Sequence, residues 1–502
     1  MLKLHRPAVL AAIVALSLVS SALAKDAVVA DSASLNAAWN RAKPGDRILM
    51  APGVYTGSVV LSGGGGTLDR PIIIAAQDPL NPPLFDLGEK SINTFKASNF
   101  VLDGIILKST AVNAIQVIFG HHVVLKNFKS VDSGVGAGNS AVKFTGCNNF
   151  LMHNVTVTRW GLCGVDMVGD AKGLLMYNHM SNSTHPPHNA CAFQAKGGCF
   201  NIGIFNNMIK DAGNRAIMMG GSTGATFFHQ GNLAKGWECY DSLAMGNKIV
   251  GGLWPISYSD ANNIHFDYNT VVAPANGLLR ILAESQPAPN PSSNGHYSHN
   301  LVQYGKLAEL VNLSPSNVKP ETFTFDGNYW YCTTNAADSK PRLPGRQIND
   351  AGGADPQLDA HFDPQYAPAR AYGADAPGKE AAWLPNVNKF QWAWDTAQSY
   401  LPHAHPAVTH SDNDVILDGS ASTLGLNSYG RNTLKSYGWD MHNDGNADLI
   451  VAGPVLRLTC AELAAIYGNK KGGHTIGLKV SVTNELGQVV LSKEEHAALT
   501  AP

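Results

Sequence analysis

Short runs of three to five residues, in which apolar and polar positions alternate, recur along most of the chain. That two-residue period belongs to half-buried strands. A four-residue frame, mostly apolar-x-x-Asn, recurs with them. It ends at Asn127, Asn154, Asn178, Asn207, Asn247, Asn269, Asn300 and Asn328, with Gly104 in the Asn place of an earlier member. From Gly104 the intervals are 23, 27, 24, 29, 40, 22, 31 and 28 residues. A base of about 22–24 residues with loop insertions is one coil of a parallel β-solenoid. The repeated Asn is expected at a bend in the left-handed region, which Asn tolerates, stacked coil on coil. A leucine-rich repeat would need a Leu frame and a helical return, and a propeller about 40 residues per blade.

The two ends differ. Residues 35–42 read as a short amphipathic helix, followed by turns at Pro44-Gly45 and Pro52-Gly53 and strands at 47–50 and 54–55. Such a helix would cover the open end of the solenoid. Residues 355–405 are rich in Ala, Pro and Asp and read as a last irregular coil and linker. From about residue 415 short strands and turns suggest a β-sandwich. The expected fold is therefore all-β: a right-handed parallel β-helix with an N-terminal capping helix and a C-terminal β-sandwich. The expected divisions are 1–24, 25–395 and 396–502.

Composition supports this and narrows the function. Charged residues are 15% of the chain and hydrophobic ones 44%, which excludes a disordered chain. The net charge of −2 gives no basic field for nucleic acid. Lys3 and Arg6, an apolar run from about Ala8 to Val19, and Ala22-Leu23-Ala24 read as a cleaved export signal. The run is too short to span a bilayer, so no stable membrane insertion is expected, and a secreted or periplasmic monomer is. Seven cysteines do not make a disulfide scaffold in so long a chain. The odd count leaves at least one thiol free or intermolecular.

Candidate chemistry follows from which side chains leave the coils. In Ala141-Val142-Lys143-Phe144-Thr145, Val142 and Phe144 are expected inward and Lys143 outward. In the same way Phe193 and Ala195 point in, and Gln194 and Lys196 point out. Lys143 and Lys196 each lie eleven residues before a repeated Asn, and Tyr258 has the same offset before Asn269. One outer face should thus carry Lys143, Lys196 and Tyr258, with Asp166 or Met167 in the coil between and Arg215 and Arg280 on neighbouring strands. Cations with an aromatic surface suit a long anionic sugar, so an acidic polysaccharide is the expected partner. His185-Pro-Pro-His188, in the insertion before Lys196, could line the cleft or act as an acid. His229, in the 40-residue interval, has the same standing, and Gly220–Gly224 could overhang the face.

Residues 1–330 resemble the secreted right-handed parallel β-helix proteins. The opening Ala42-Lys43-Pro44-Gly45-Asp46-Arg47-Ile48, with Pro52-Gly53-Val54-Tyr55 and Pro71-Ile72-Ile73-Ile74, looks most like the polysaccharide lyases that include chondroitinase B and alginate lyases. That resemblance implies β-elimination at a uronate by a catalytic Lys and a following Arg. Lys196 matches the Lys. Arg215 stands three residues before the family's Arg position, which falls on Met218. The family's acidic calcium positions fall on Asn189 and Cys191, so no metal and no other cofactor is expected. Such a reaction needs a base for the C5 proton, a cation on the carboxylate and an acid for the leaving oxygen. Lys196 is expected as base, with a nearby Arg215 favouring its neutral form by like-charge repulsion and neutralising the carboxylate. Lys143, Gln194, His188, Tyr258 and Arg280 are expected to hold substrate. The alternatives are a non-catalytic polysaccharide-binding or matrix protein and a glycoside hydrolase. The hydrolase needs paired outward carboxylates, whereas Asp166, Asp211, Asp241 and Asp260 are scattered. A β-helix C5-epimerase would show Asp-Pro-His, which is missing from the sequence.

The C-terminal stretch resembles the polycystic-kidney-disease (PKD) domain through Asp418-Gly419-Ser420-Ala421-Ser422, Trp439-Asp440 and the run Gly473 to Thr483. That implies an accessory module of an exported protein. Asp440, Asp444 and Asp448 have partial calcium-loop spacing and read as an Asx-rich turn.

Overall fold

The computed structural model describes residues 24–135, 138–182, 191–229, 231–284, 290–379, 382, 384–410, 414–423, 434, 436–443, 447–467, 472–483, 489–492 and 495–501. Apart from Ala24, the expected export signal lies outside these residues, as do His185, His188 and Asn189.

Three parallel sheets of 14, 10 and 12 strands run the length of a right-handed β-helix. Most coils give one strand to each sheet. Inward side chains stack in rows because the coils align in register. The 14-stranded sheet contributes Leu102, Leu125, Met152, Leu175, Ile204, Ala244, Phe266, Tyr297 and Phe325. The ten-stranded sheet contributes Val117, Phe144, Met167, Ala195, Met219, Tyr258 and Ile281. These rows meet in one continuous apolar interior.

The repeated Asn residues divide into two sets. Asn127 and Asn154 occupy the left-handed bend with φ near +55°, and Asn154 Nδ2 donates to Asn127 Oδ1 at 2.7 Å. From the next coil onward, Tyr177, Asn206, Gly246, Tyr268, His299 and Gly327 take that bend. The repeated Asn sits one residue later and points inward. Asn178, Asn207, Asn247, Asn269, Asn300 and Asn328 form a buried ladder, each Nδ2 donating to the next Oδ1 at 2.9–3.1 Å between Asn partners, and Asp350 ends it. Each Oδ1 also accepts from a backbone N–H of the preceding coil. So the left-handed expectation holds for the first two Asn only, and Asn178 does not stack on Asn154. Asn suits both places, because its amide tolerates positive φ and can also donate and accept along a stack.

The capping helix is Ser32–Trp39, three residues earlier than expected. Asp31 caps it by accepting from Ser34 N at 2.7 Å. Leu35 and Trp39 join the interior, with the Trp39 ring edge-on to Phe100.

Within the stretch read as coil and linker, a helix spans Gln391–Gln398. Phe390, Ala393, Ala397 and Tyr400 cover an outward apolar row of the 14-stranded sheet made by Val101, Val124, Leu151, Leu174 and Leu243. Gly203 belongs to this row, and a Cβ there would lie 3.0 Å from the Phe390 ring. Farther on, a three-stranded and a five-stranded antiparallel sheet enclose one core that includes Val415, Leu417, Trp439, Leu458, Ile476 and Leu478. This is the expected β-sandwich.

Candidate functional site

The outer face of the ten-stranded sheet carries a polar row made by register. Gln116, Lys143, Asp166, Gln194, Met218, Ser257 and Arg280 stand on successive coils. One outward step along the strands, Thr145, Val168 and Lys196 form a second row. At the opposite strand end, Cys163, Cys191, Arg215 and Trp254 form a third.

Two of these alignments differ from expectation. Lys143 is level with Gln194, and Lys196 lies one outward position beyond. The turn after Lys196 lengthens that coil by one residue, since four residues separate Lys196 from Phe200 where three separate their partners Val168 and Ala171. The change of Asn frame adds the other. Tyr258 is not on the face: it is 1% exposed, lies in the interior row, and its hydroxyl donates to the His296 carbonyl at 3.0 Å. The outward position belongs to Ser257, because the true reference point is the bend at Tyr268 rather than Asn269.

The cations gather at two places. At one, Lys143 Nζ meets Asp166 Oδ2 at 2.9 Å and Lys196 Nζ stands 4.0 Å from Oδ1. The Asp166 side chain is 3% exposed, against 28% for Lys143 and 18% for Lys196. One buried carboxylate thus holds two ammonium groups side by side while leaving both reachable. At the other, the Arg280 guanidinium lies over the Trp254 ring at 5.9 Å. Burial, then the like charge of Arg215, holds Arg280 below its ordinary pKa. Its Nε and Nη1 have no hydrogen-bond partner among the described residues, and buried guanidinium donors without acceptors favour an incoming anion. Arg215 therefore belongs with Arg280 rather than with Lys196. It is aligned with Cys191, five residues before Lys196, a separation of roughly 16 Å along the strand at ~3.3 Å per residue.

Gln194 lies between the two groups, its Nε2 on Met218 Sδ at 3.2 Å and its Oε1 accepting from Cys163 Sγ at 3.3 Å. Beside Lys196 the long insertion forms a wall. Gly221, at φ +146°, lets it descend onto the face: a Cβ there would lie 2.8 Å from Gln194 Nε2 and 3.5 Å from Lys196 Cδ. Glu238 pins the wall, its buried carboxylate accepting from Gly197 N at 2.6 Å and Thr223 N at 2.9 Å. His229 belongs to this wall, donating its backbone N–H to the Gly197 carbonyl at 2.8 Å and setting its ring edge-on to Phe200.

The four scattered Asp residues stay apart. Asp166 is tied to the lysines, while Asp241 accepts from Asn263 Nδ2 at 2.6 Å on the 14-stranded sheet. Asp260 accepts from Glu284 N at 2.7 Å, and Asp211 sits in a left-handed turn. Among the described residues no cluster of three or more His, Cys, Asp or Glu could hold a metal ion, and no helix is long and apolar enough to cross a membrane.

Sequence reasoning missed three participants. Trp254 was legible only once Arg215 and Trp254 were known to be register partners. Glu238 lies in an insertion without periodicity, and the pairing of Cys163 with Cys191 needs the same register knowledge.

The class these features define is a right-handed parallel β-helix protein with a cationic outer face. No protein-family profile and no curated protein matches the chain. Among solved structures it is similar to an alginate lyase from Paenibacillus sp., at 15% identity and TM-score 0.42 over 66% of this chain and 99% of that one. It is also similar to a lacto-N-biosidase from Eubacterium ramulus, at 12% identity and TM-score 0.41 over 62% and 68%. A third is the A-module of a mannuronan C-5 epimerase from Azotobacter vinelandii, at 12% identity and TM-score 0.39 over 66% and 97%. These proteins carry three different activities, so the likeness distinguishes none of them.

Proposed function

We propose that this protein binds and cleaves an acidic, uronate-containing polysaccharide by β-elimination, outside the cytoplasm, with the C-terminal sandwich as a PKD-like accessory module. The observation that carries the reading is the grouping of Lys143 and Lys196 around Asp166, with Arg215 and Arg280 farther along the same face. A polyanion crossing the face would meet a cation at each end and the amide of Gln194 between them.

In this reading Lys196 removes the C5 proton and returns it to the departing glycosidic oxygen. Lys143, which shares the Asp166 carboxylate, neutralises the uronate carboxylate and so makes the C5 proton acidic. Arg215 and Arg280 hold the carboxylate of another sugar unit, Arg280 through the two donors that have no partner among the described residues. Arg215 thus passes from catalysis to binding. His188, expected to hold substrate, lies outside the described residues.

A binding-only protein is the second reading. It is favoured by the same carboxylate, which engages both lysines as an ion pair. Gel electrophoresis through embedded alginate, pectate and glycosaminoglycans, run beside an absorbance assay for unsaturated uronates, separates the two. Retardation with new absorbance supports the lyase, retardation alone supports the binding protein, and the absence of both would contradict a polyuronate-directed face.

A further inference from the structure

Two thiols on the site face have no part in the reading above. Cys163 and Cys191 are register partners on neighbouring coils. Adjacent strands lie about 4.8 Å apart, inside the roughly 4.4–6.8 Å Cα separation that a disulfide accepts. Their Sγ atoms face each other at 2.7 Å, and both turn toward Gln194 Oε1, at 3.3 and 4.0 Å. Both residues are buried, yet neither belongs to the apolar interior enclosed by the coils.

Alignment alone does not produce this approach. Cys199 and Cys239 are also register partners and fully buried. There Cys199 Sγ turns to the Lys196 carbonyl at 2.9 Å, and Cys239 Sγ turns to Ser242 Oγ at 3.6 Å. The two pairs share spacing, burial and strand geometry. They differ in where the sulfurs point.

We infer that Cys163 and Cys191 close a disulfide that joins the two coils beneath Gln194. The oxidant is a small disulfide such as oxidised glutathione. One cysteine thiolate attacks it and releases one thiol. The second cysteine, as thiolate, attacks the resulting mixed disulfide and releases the other. Two cysteine thiols lose their protons and two electrons, and one external disulfide becomes two thiols. Burial pushes the Cys163 thiol well above its ordinary pKa, so the exchange belongs to folding, before the coils close over it. The bond would fix the strand that presents Gln194 and Lys196 against the strand that presents Asp166.

The test is a thiol count on the full-length chain folded in a glutathione redox buffer, then acid-quenched and denatured, with peptide mapping. Of the seven cysteines, five should titrate before reduction and seven after it. The mapped cross-link should join 163 to 191. Cys163→Ser should show six thiols, whereas Cys199→Ser should show four because it keeps the bond. Seven thiols in the oxidised wild type, or a cross-link between 199 and 239, would overturn the inference. Should Cys163→Ser fail to fold, the wild-type map and Cys199→Ser still decide it.

Discussion

Lys143 and Asp166 meet at 2.9 Å from adjacent coils, with the carboxylate almost wholly buried and the lysine a quarter exposed. The asymmetry has a consequence for stability. Among the described residues, Lys143→Met would leave Asp166 with only Lys196 as a cationic partner, 4.0 Å away. A buried charge that loses its near partner costs about 3 kcal/mol. Lys196→Met leaves the short contact intact and should cost under about 1 kcal/mol. Denaturant titration of both variants checks this, and equal losses would contradict it.

The buried Asn ladder predicts a second contrast. Asn247 Oδ1 accepts from both Asn207 N and Nδ2, while its own Nδ2 donates to Asn269 Oδ1 and the Ile204 carbonyl. Asn247→Leu strands all of these in the interior and should cost roughly 3 kcal/mol or more. Asn127→Gly, at the partly exposed bend, keeps the left-handed backbone and should cost about 1 kcal/mol. The same denaturant titrations distinguish the two positions.

How much of this was legible follows from that contrast. The coil length was plain because Asn recurs at every turn of the later solenoid. Its two roles were not, since a left-handed bend and an inward ladder select the same residue one position apart. The resulting one-residue error turned Tyr258 outward and, together with the extra residue in the turn after Lys196, set Lys143 level with Lys196. The helix Gln391–Gln398 was masked by its Ala-, Pro- and Asp-rich surroundings. Its signal was the spacing of Phe390, Ala393, Ala397 and Tyr400, three to four residues apart along one face. Asp166 was visible as a residue of the coil between the lysines. Its part as their shared partner depends on side chains from three coils.

His153 predicts a pH response. It is 1% exposed, and neither ring nitrogen has a hydrogen-bond partner among the described residues. Burial, with the nearby Lys126 charge, lowers its pKa to about 3. The unfolded chain would titrate this group near 6.5. Between those values the unfolded state binds more protons, so stability is full above about 6.5 and falls as pH drops toward 3. The slope reaches up to ~1.4 kcal/mol per pH unit. His153→Phe should flatten the loss between pH 7 and 5, measured from denaturant midpoints. An unchanged slope would contradict this account.

Calcium should be dispensable for turnover. The site-face residue at one expected calcium position is Cys191, a thiol directed at Cys163, and such a group is a poor ligand for a hard cation. The charge that calcium would place on the substrate carboxylate is assigned instead to Lys143. Exhaustive chelation should therefore leave the rate unchanged within about twofold. A full loss that calcium restores would contradict the assignment.

The most direct measurement is the appearance of unsaturated uronate, read by ultraviolet absorbance, when wild type and Lys196→Ala are incubated with alginate, pectate and glycosaminoglycans. β-Elimination leaves a carbon–carbon double bond conjugated to the carboxylate, a product that hydrolysis cannot make. The account predicts a rising signal on at least one polymer for wild type. It predicts a loss of about 10³-fold or more for Lys196→Ala, the scale of a missing general base, with retardation in polymer gels and the melting transition preserved. Wild-type turnover that persists in Lys196→Ala, or cleavage of the polymer without the absorbing product, would contradict the central claim.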